Sequence, residues 1–188
     1  MLKHLDWISV LLYFALVTIG WVCIYATGYN EHTTNLMDFS QHASKQLFFV
    51  CTSVLLILFI LAIEAQFYEN SAEIFYIFAI LLLVGVLIFG KTINGAKAWY
   101  ALGPVTIQPA EFAKVATSLT IAWLCNQYDF QIKTYASYLK LFGIILLPVG
   151  LILLQQETGS ALVFLALFLA LFREGFSGLF MGLSFAAA

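Results

Sequence analysis

Residues 141–172 read LFGIILLPVGLILLQQETGSALVFLALFLALF. Two almost wholly apolar runs, Leu141 to Leu154 and Ala161 to Phe172, enclose the six small or polar residues Gln155 to Ser160. The carboxylate of Glu157 is costly in hydrocarbon, because its charge must be hydrated, paired or neutralised. The stretch is therefore either a polar turn between two membrane helices, where Glu, Gly and Ser are ordinary, or a site of polar chemistry.

The composition of the whole chain predicts a membrane protein. Of the 188 residues 63% are hydrophobic and 10% are charged, and the mean hydropathy is +0.97. Soluble domains average about 45–50% apolar and about 25% charged residues, so a water-soluble fold of this length cannot bury so much apolar surface. Long unbroken apolar runs predict helices. The net charge of −2 gives no reason to expect a nucleic acid partner.

Six apolar segments are long enough to predict membrane helices, and a seventh begins near Phe176. The first alone would span about 30 Å, one hydrocarbon thickness. Pro148 is expected to kink the fifth, and Glu69 and Glu73 are expected in a linker before the third. The predicted helices are Trp7 to Ala26, Leu47 to Ile63, Ile74 to Phe89, Pro109 to about Asn126, a fifth ending at Leu154, and a sixth from Gly159 to Arg173. The expected fold class is an all-α polytopic membrane protein of six transmembrane helices and a truncated seventh, in a single domain over residues 1–188 whose C-terminal part is missing.

The segment from Gly90 to Pro109 is a loop with several structural signals. Asn94-Gly95 and Gly103-Pro104 are turn dipeptides. Trp99 and Tyr100 suit the aromatic belt at a membrane interface. Pro109 is expected to begin the next helix, because proline is favoured in a first turn.

Loop charges give a small preference for a cytoplasmic N-terminus. With that orientation the loop before Pro109 and the Gln155 to Ser160 turn lie on the same, extracytoplasmic side, because outward ends follow the first, third and fifth helices. The basic residues then divide into Lys3, Lys133, Lys140 and Arg173 inside, and Lys45, Lys91 and Lys97 outside, with Lys114 inside a helix.

Glu111 and Lys114 are three residues apart, so they lie on one helix face and can pair. They are either an interfacial pair that reaches towards water or part of a functional cavity. Together with Glu157, Lys91 and Lys97 they form one polar mouth. Acids and lysines beside a membrane surface favour an anionic lipid-linked substrate, with lysines on phosphate and a carboxylate as base. A proton or ion relay in a transporter would use the same arrangement.

Three motifs in order resemble those of the SEDS family (shape, elongation, division and sporulation). They are Asn94-Gly95-Ala96-Lys97-Ala98-Trp99 with Leu102-Gly103-Pro104, Ile107-Gln108-Pro109-Ala110-Glu111-Phe112-Ala113-Lys114, and Glu157-Thr158-Gly159-Ser160-Ala161-Leu162. The family pattern is NGA-x-R-W with LGP, QPSEFAK, and PD-x-G-[ST]-A-L. The early start of the first helix favours the elongation-type member over the division-type paralogue.

The resemblance implies a ten-helix peptidoglycan glycosyltransferase that polymerises lipid II into a glycan strand outside the bacterial cytoplasmic membrane. The partner would be a class B penicillin-binding protein. Glu157 would be the catalytic base for the acceptor hydroxyl. A divalent cation, Mg²⁺ or Mn²⁺, is implied near the pyrophosphate, although no metal-ligand spacing is visible in the sequence. The expected substrate-binding residues are Lys114, Glu111, Lys97, Gln108 and Ser160.

Three departures from the family pattern matter for the expected site. Glu157 replaces Asp, Gln156 replaces the preceding Pro, and Ala98 replaces the loop Arg, beside Lys97. Lysine cannot reproduce the bidentate phosphate contact of arginine. Two alternatives to the polymerase remain: a lipid II transporter with the same cavity and charges, and an inactive fragment that binds partners.

Overall fold

The computed structural model describes residues 6–27, 42–103, 105–127 and 134–175. The chain divides into two compact units, Met1–Glu64 and Ala65–Ala188. Four helices in the described part are long and apolar enough to cross a membrane. They are Trp7–Thr27, His42–Ala62, Ala65–Phe89 and Tyr135–Leu154. The polytopic helical class predicted from the composition is confirmed.

The first unit contains α1 (Trp7–Thr27) and α2 (His42–Ala62). Asp6 caps α1, because its carboxylate accepts hydrogen bonds from the amide of Ile8 at 3.1 Å and the hydroxyl of Ser9 at 2.6 Å. Hydrogen bonds from Ser9 hold the pKa of Asp6 below its ordinary value. The bond from the Ser9 hydroxyl contributes most to this shift, followed by the bond from the Ser9 amide. The indole of Trp21 donates to the carbonyl of Ala43 at 3.1 Å, which joins α1 to the first turn of α2.

The second unit places a small sheet between membrane helices. Its elements are α3 (Ala65–Phe89), β1 (Lys91–Ile93), β2 (Ala96–Leu102), β3 (Val105–Ile107), α4 (Pro109–Asn126), α5 (Tyr135–Leu154), α6 (Thr158–Val163) and α7 (Leu165–Arg173). The strands form an antiparallel sheet in the order β1-β2-β3. The core of the second unit consists of buried apolar side chains of α3 to α7, among them Leu83, Leu141, Ile145 and Phe164. Alanines along α4 allow close packing of helices.

Several predicted boundaries are right and others are wrong. Pro109 begins α4, Asn126 ends it, and Arg173 ends α7. The third helix starts at Ala65 rather than Ile74, so Glu69 and Glu73 belong to α3 and not to a linker. Both are exposed, because a spanning helix can extend past the hydrocarbon at its polar end. Likewise α2 starts at His42 instead of Leu47. The seventh apolar run, 176–188, lies outside the described residues.

The sixth predicted helix is divided into α6 and α7 at Phe164. Here the backbone makes tighter bonds, from the Phe164 amide to the Ala161 carbonyl at 3.1 Å and from the Leu167 amide to the Phe164 carbonyl at 3.0 Å. Phe164 itself is almost fully buried. The chain between Gly90 and Pro109, predicted as a loop with turns, is largely β-strand.

Pro148 lies inside α5 and leaves the carbonyl of Ile144 without its normal helical partner, because proline has no amide hydrogen. The hydroxyl of Tyr76, on α3, donates to that carbonyl at 2.9 Å. A carbonyl in a membrane interior is costly when it has no donor. Tyr76 therefore compensates for Pro148 and fixes α3 against α5.

We expect Tyr76→Phe to destabilise the protein by about 1–3 kcal/mol, since it leaves a buried carbonyl without a donor. In a Pro148→Ala background, residue 148 regains an amide that reaches Ile144, so the same substitution should cost much less. Thermal unfolding in detergent of the unaltered protein, the two single variants and the double variant measures the coupling between Tyr76 and Pro148. The control is Tyr13→Phe, because the exposed hydroxyl of Tyr13 has no hydrogen bond among the described residues. Additive effects of Tyr76→Phe and Pro148→Ala would refute the compensation.

Candidate functional site

The sheet is built on two tight turns. Ile93 pairs with Ala96, so Asn94 and Gly95 alone connect β1 to β2. Their φ angles are +52° and +88°, as a two-residue hairpin with matching twist requires. Gly103 has a φ of +65° in the turn between β2 and β3. The predicted turn dipeptide Asn94-Gly95 is thus a hairpin turn of a sheet, and Gly103 of the other predicted dipeptide lies in the turn between β2 and β3.

Two side chains of β2 attach the sheet to α3. The ammonium of Lys97 donates to the carbonyls of Leu87 at 2.7 Å and Ile88 at 3.2 Å, where it satisfies the C-terminal end of the helix. The hydroxyl of Tyr100 donates to the carbonyl of Leu82 at 3.0 Å. Burial raises the pKa of Tyr100, so this donor stays protonated. Lys97, predicted to bind substrate, therefore has its charged group on the α3 carbonyls.

Gln155 joins the sheet and the turn after α5. Its side-chain amide donates to the carbonyl of Leu83 at 3.1 Å, and its own carbonyl accepts from the backbone amide of Lys97 at 3.1 Å. The side chain is fully buried, although its Oε1 has no hydrogen-bond partner among the described residues. The sequence predicted a polar turn but gave no role to Gln155, because nothing in the sequence tells which of two glutamines points inward.

Gln108, Glu157 and Ser160 form the polar centre of the site, called here the Gln108 cluster. The Gln108 side-chain amide donates to Oε1 of Glu157 and lies 3.5 Å from the hydroxyl of Ser160. Gln108 precedes the first turn of α4, while Glu157 precedes α6 and Ser160 lies within it. Oε2 of Glu157 is buried and has no hydrogen-bond partner among the described residues. A carboxylate oxygen of this kind is available to a ligand that gains access to it.

Glu111 and Lys114 pair with each other on α4, with 2.8 Å between Nζ and Oε1. The Lys114 side chain is 23% exposed and that of Glu111 is 58% exposed. The hydrogen bonds of the described residues connect this pair to no member of the Gln108 cluster. The structure thus brings together three of the predicted site residues, and places the Glu111–Lys114 pair beyond them along α4.

The position of the family's loop arginine is occupied by the buried Ala98. The side chain of Ala98 is a buried methyl group, so this position of the sheet has no charged side chain. Lys91, on the neighbouring strand, is exposed.

Gln156 has a φ of +61°, a left-handed conformation that costs a non-glycine residue about 1–2 kcal/mol. We expect Gln156→Gly to leave stability unchanged or raise it by up to about 1 kcal/mol. Gln156→Pro, which restores the family pattern, should cost about 3 kcal/mol or more, because proline cannot adopt this φ and loses the amide bond to Leu153.

Thermal unfolding of both variants checks this expectation. The matched control is Gln127→Gly, since Gln127 caps the C-terminus of α4 with a φ of −69°, where glycine relieves no strain. A stable Gln156→Pro variant would mean that the turn has the conformation of the proline-containing family pattern.

A dedicated metal site is not visible in the described ranges, where no three His, Cys, Asp or Glu side chains come together. Mg²⁺ often uses only one or two carboxylates, together with water and substrate phosphates. The carboxylate of Glu157, whose buried Oε2 has no hydrogen-bond partner among the described residues, is one such group. The site therefore fits a divalent cation that arrives with a phosphate ligand, rather than one held by the protein alone.

Two longer proteins are similar to this chain in sequence. The chain is 33% identical over 174 residues to the peptidoglycan glycosyltransferase RodA of Treponema pallidum, which covers 91% of the chain and 39% of that protein. It is 30% identical over 166 residues to a probable peptidoglycan glycosyltransferase FtsW of Haemophilus ducreyi, covering 87% of the chain and 42% of the relative. The chain thus spans about two fifths of the length of these curated relatives.

Solved structures agree with the fold. The rod shape determining protein RodA of Thermus thermophilus superposes with a TM-score of 0.80 at 30% identity, over 97% of this chain and 58% of that one. A chain of a peptidoglycan synthase complex, described for its coordination of polymerization and crosslinking, gives a TM-score of 0.71 at 30% identity, over 86% and 45%.

The family assignment rests on nearly the whole sequence. The signature of the FtsW/RodA/SpoVE family, described as "Cell cycle protein", matches residues 6–187. The family match and the apolar helices together show that the protein is a multi-pass protein of the bacterial inner membrane. The chain belongs to the FtsW/RodA/SpoVE family, the SEDS family that its three motifs resemble.

Proposed function

We propose that the chain forms part of a peptidoglycan glycosyltransferase that polymerises lipid II at the outer face of the cytoplasmic membrane. The observation that carries the proposal is the Gln108 cluster, which combines a carboxylate, an amide and a hydroxyl at one end of membrane helices. Two of the three SEDS motifs supply its members. A relative named as a peptidoglycan glycosyltransferase shares 33% of the matched residues.

In this mechanism Glu157 is the general base. Gln108 holds Oε1 by a hydrogen bond and leaves Oε2 for the substrate. Oε2 takes the proton of the acceptor sugar hydroxyl as the hydroxyl oxygen attacks the anomeric carbon of the lipid-linked donor. The bond from that carbon to the pyrophosphate breaks, and the polyprenyl pyrophosphate leaves with inversion. The Glu111–Lys114 pair holds the substrate phosphate through the Lys114 ammonium, which Glu111 positions by its ion pair, or it orients the base.

A second role for Glu157 is to position the substrate while another residue acts as base. One observation favours it. Oε2 is buried, so it reaches a substrate only after the turn moves. In this role the Glu157 carboxylate would hold a divalent cation, which stabilises the charge of a leaving pyrophosphate.

Orientation and partners follow from the same proposal. The N-terminus would be cytoplasmic, which places the Gln108 cluster outside. A class B penicillin-binding protein is proposed as the partner, supported by the similarity to a chain of a peptidoglycan synthase complex. We propose the elongation role, although RodA and FtsW relatives have similar identities to the chain, 33% and 30%.

The test reconstitutes the protein in vesicles that contain lipid II. One sample is the chain itself, and the other is a chimera in which residues 6–187 replace the matching portion of Thermus thermophilus RodA. Formation of glycan strands supports the polymerase. Movement of lipid II across the bilayer without polymer would identify the transporter alternative. A folded chimera with neither activity would refute the proposed function, while activity in the chimera alone would identify the chain as an inactive part.

A further inference from the structure

Gln155 is the largest polar side chain that is fully buried in the described part of the chain, with 1% of its surface exposed. Its Nε2 donates to the carbonyl of Leu83 at 3.1 Å, while its Oε1 has no hydrogen-bond partner among the described residues. A buried oxygen without a donor destabilises a fold. An apolar side chain of the same length would avoid that cost, so stability alone does not account for a glutamine at this position.

The hydrogen bond to Leu83 is not required by α3 either. Leu83 lies in the interior of α3, where its carbonyl accepts from the amide four residues later. The carbonyl of Ile144 differs, because it depends on Tyr76 after Pro148 removes its helical donor. The bond from Gln155 therefore connects two elements without satisfying a group that would otherwise lack a partner.

This connection fixes the end of α5, from which the turn to Glu157 starts. The amide of Gln155 donates to the carbonyls of Ile152 at 3.0 Å and Leu151 at 3.3 Å, so the residue belongs to the last turn of α5. The amide of Glu157 donates to the same Ile152 carbonyl at 3.3 Å. The position of this last turn relative to α3 therefore sets the position of the Glu157 backbone.

Gln108, which binds the Glu157 carboxylate, is placed relative to α3 by a separate contact. It precedes α4, and α4 is joined to α3 by the hydroxyl of Thr120, which donates to the carbonyl of Ala72 at 3.2 Å. The amide and the carboxylate of the Gln108 cluster thus reach α3 by different routes, one through α4 and the other through Gln155. Loss of the Gln155 contact would let Glu157 move while Gln108 stays in place.

We infer that Gln155 is a positioning residue for Glu157, because its side-chain amide holds the end of α5 on α3 and so keeps the carboxylate against Gln108. This inference rests on the proposed function, in which Glu157 is the group that acts on the substrate. A displacement of about 1 Å can cost a catalytic group about 10²-fold in rate. The unpartnered Oε1 of Gln155 is the loss of stability that accompanies this connection.

The first test follows the Glu157 carboxylate without turnover. The whole chain in vesicles is treated with a water-soluble carbodiimide and glycinamide, which modify accessible carboxylates, and mass spectrometry locates the product. Gln155→Met keeps the length of the side chain and removes both polar atoms. It should raise the rate of modification of Glu157 at least about threefold, because the turn then opens more often. Glu111, which is already exposed, should react equally in both proteins. The matched control is Gln127→Met, since Gln127 is exposed at the opposite end of α4.

Stability and kinetics separate positioning from an ordinary structural role. The melting temperature of Gln155→Met in detergent should be unchanged or higher by up to about 5 °C, since the variant buries no unpartnered oxygen. In the chimera the same substitution should lower kcat about 10- to 100-fold and change KM by less than about threefold. Gln155→Leu, which has another shape, should behave in the same way.

Equal modification of Glu157 in Gln155→Met and in the unaltered chain would overturn the inference, as would an unchanged kcat in an active chimera. A melting temperature lowered by more than about 5 °C in both Gln155→Met and Gln155→Leu would also overturn it, because Gln155 would then stabilise the fold in the ordinary way. Faster modification of Glu157, combined with an unaltered chimera that makes no glycan, would refute the proposed function and leave Gln155 as the anchor of the turn.

Discussion

Glu157→Gln is expected to lower the rate of glycan polymerisation by the chimera about 10²- to 10⁴-fold, with little change in stability. Glutamine keeps an oxygen that can accept the hydrogen bond of Gln108, but it cannot take a proton from the acceptor hydroxyl. The loss should appear in kcat. Glu157→Asp, which restores the family residue, is expected to retain or raise the activity.

The Mg²⁺ dependence of the loss decides between the two roles of Glu157. If Glu157 holds a divalent cation, the activity of Glu157→Gln should recover in part at a raised Mg²⁺ concentration, whereas the loss of a general base is not restored by Mg²⁺. Gln108→Leu then gives the complementary measurement, because it removes the donor but leaves the carboxylate. The charge-matched control is Glu73→Gln, an exposed carboxylate on α3 that should leave activity unchanged.

Gly85→Ala is expected to destabilise the second unit by about 1–3 kcal/mol and to lower activity with it. A Cβ at Gly85 would lie 2.5 Å from the hydroxyl oxygen of Tyr100, which is too close for any real contact. Tyr100 must then move, and it gives up its hydrogen bond to Leu82. Since β2 also carries Lys97, the sheet would lose its position on α3.

Tyr100→Phe should rescue Gly85→Ala in part. It removes the one clashing atom, and the next nearest ring atom, at 3.8 Å, makes an ordinary contact. Alone, Tyr100→Phe costs about 1 kcal/mol for the lost hydrogen bond. Gly143→Ala, inside α5, is the control, because no atom lies within 4 Å of the added methyl group. Thermal unfolding of the four variants measures the coupling, and strictly additive effects would contradict it.

The sequence predicted those features that have a local cause. Pro109 begins α4 because its fixed φ suits a first helical turn, and Asn94-Gly95 forms a turn because both residues tolerate positive φ. The division at Phe164 was missed, because the apolar run from Ala161 to Phe172 has no glycine, proline or charge to mark it. Apolar sequence alone does not reveal where a membrane helix is irregular.

The sequence also predicted only part of the candidate site. Gln108, Glu157 and Ser160 do meet, although 49 residues separate Gln108 from Glu157. The motif resemblance suggested this, while charge and spacing could not. Lys97 is predicted to bind substrate, and in the structure its ammonium donates to the carbonyls of Leu87 and Ile88 at the end of α3. Such competition between a helix end and a substrate depends on three-dimensional packing that periodicity does not encode.

The backbone amide of Lys97 donates a hydrogen bond to the carbonyl of Gln155, and its hydrogen exchange can report whether the site is open or closed. It joins the sheet to the turn that carries Glu157, so its hydrogen is released to solvent only when the two separate. Its deuterium exchange rate therefore measures how often the turn opens, independently of the chemistry. Faster exchange at this amide on addition of lipid II would mean that the proposed substrate itself uncovers the buried carboxylate oxygen.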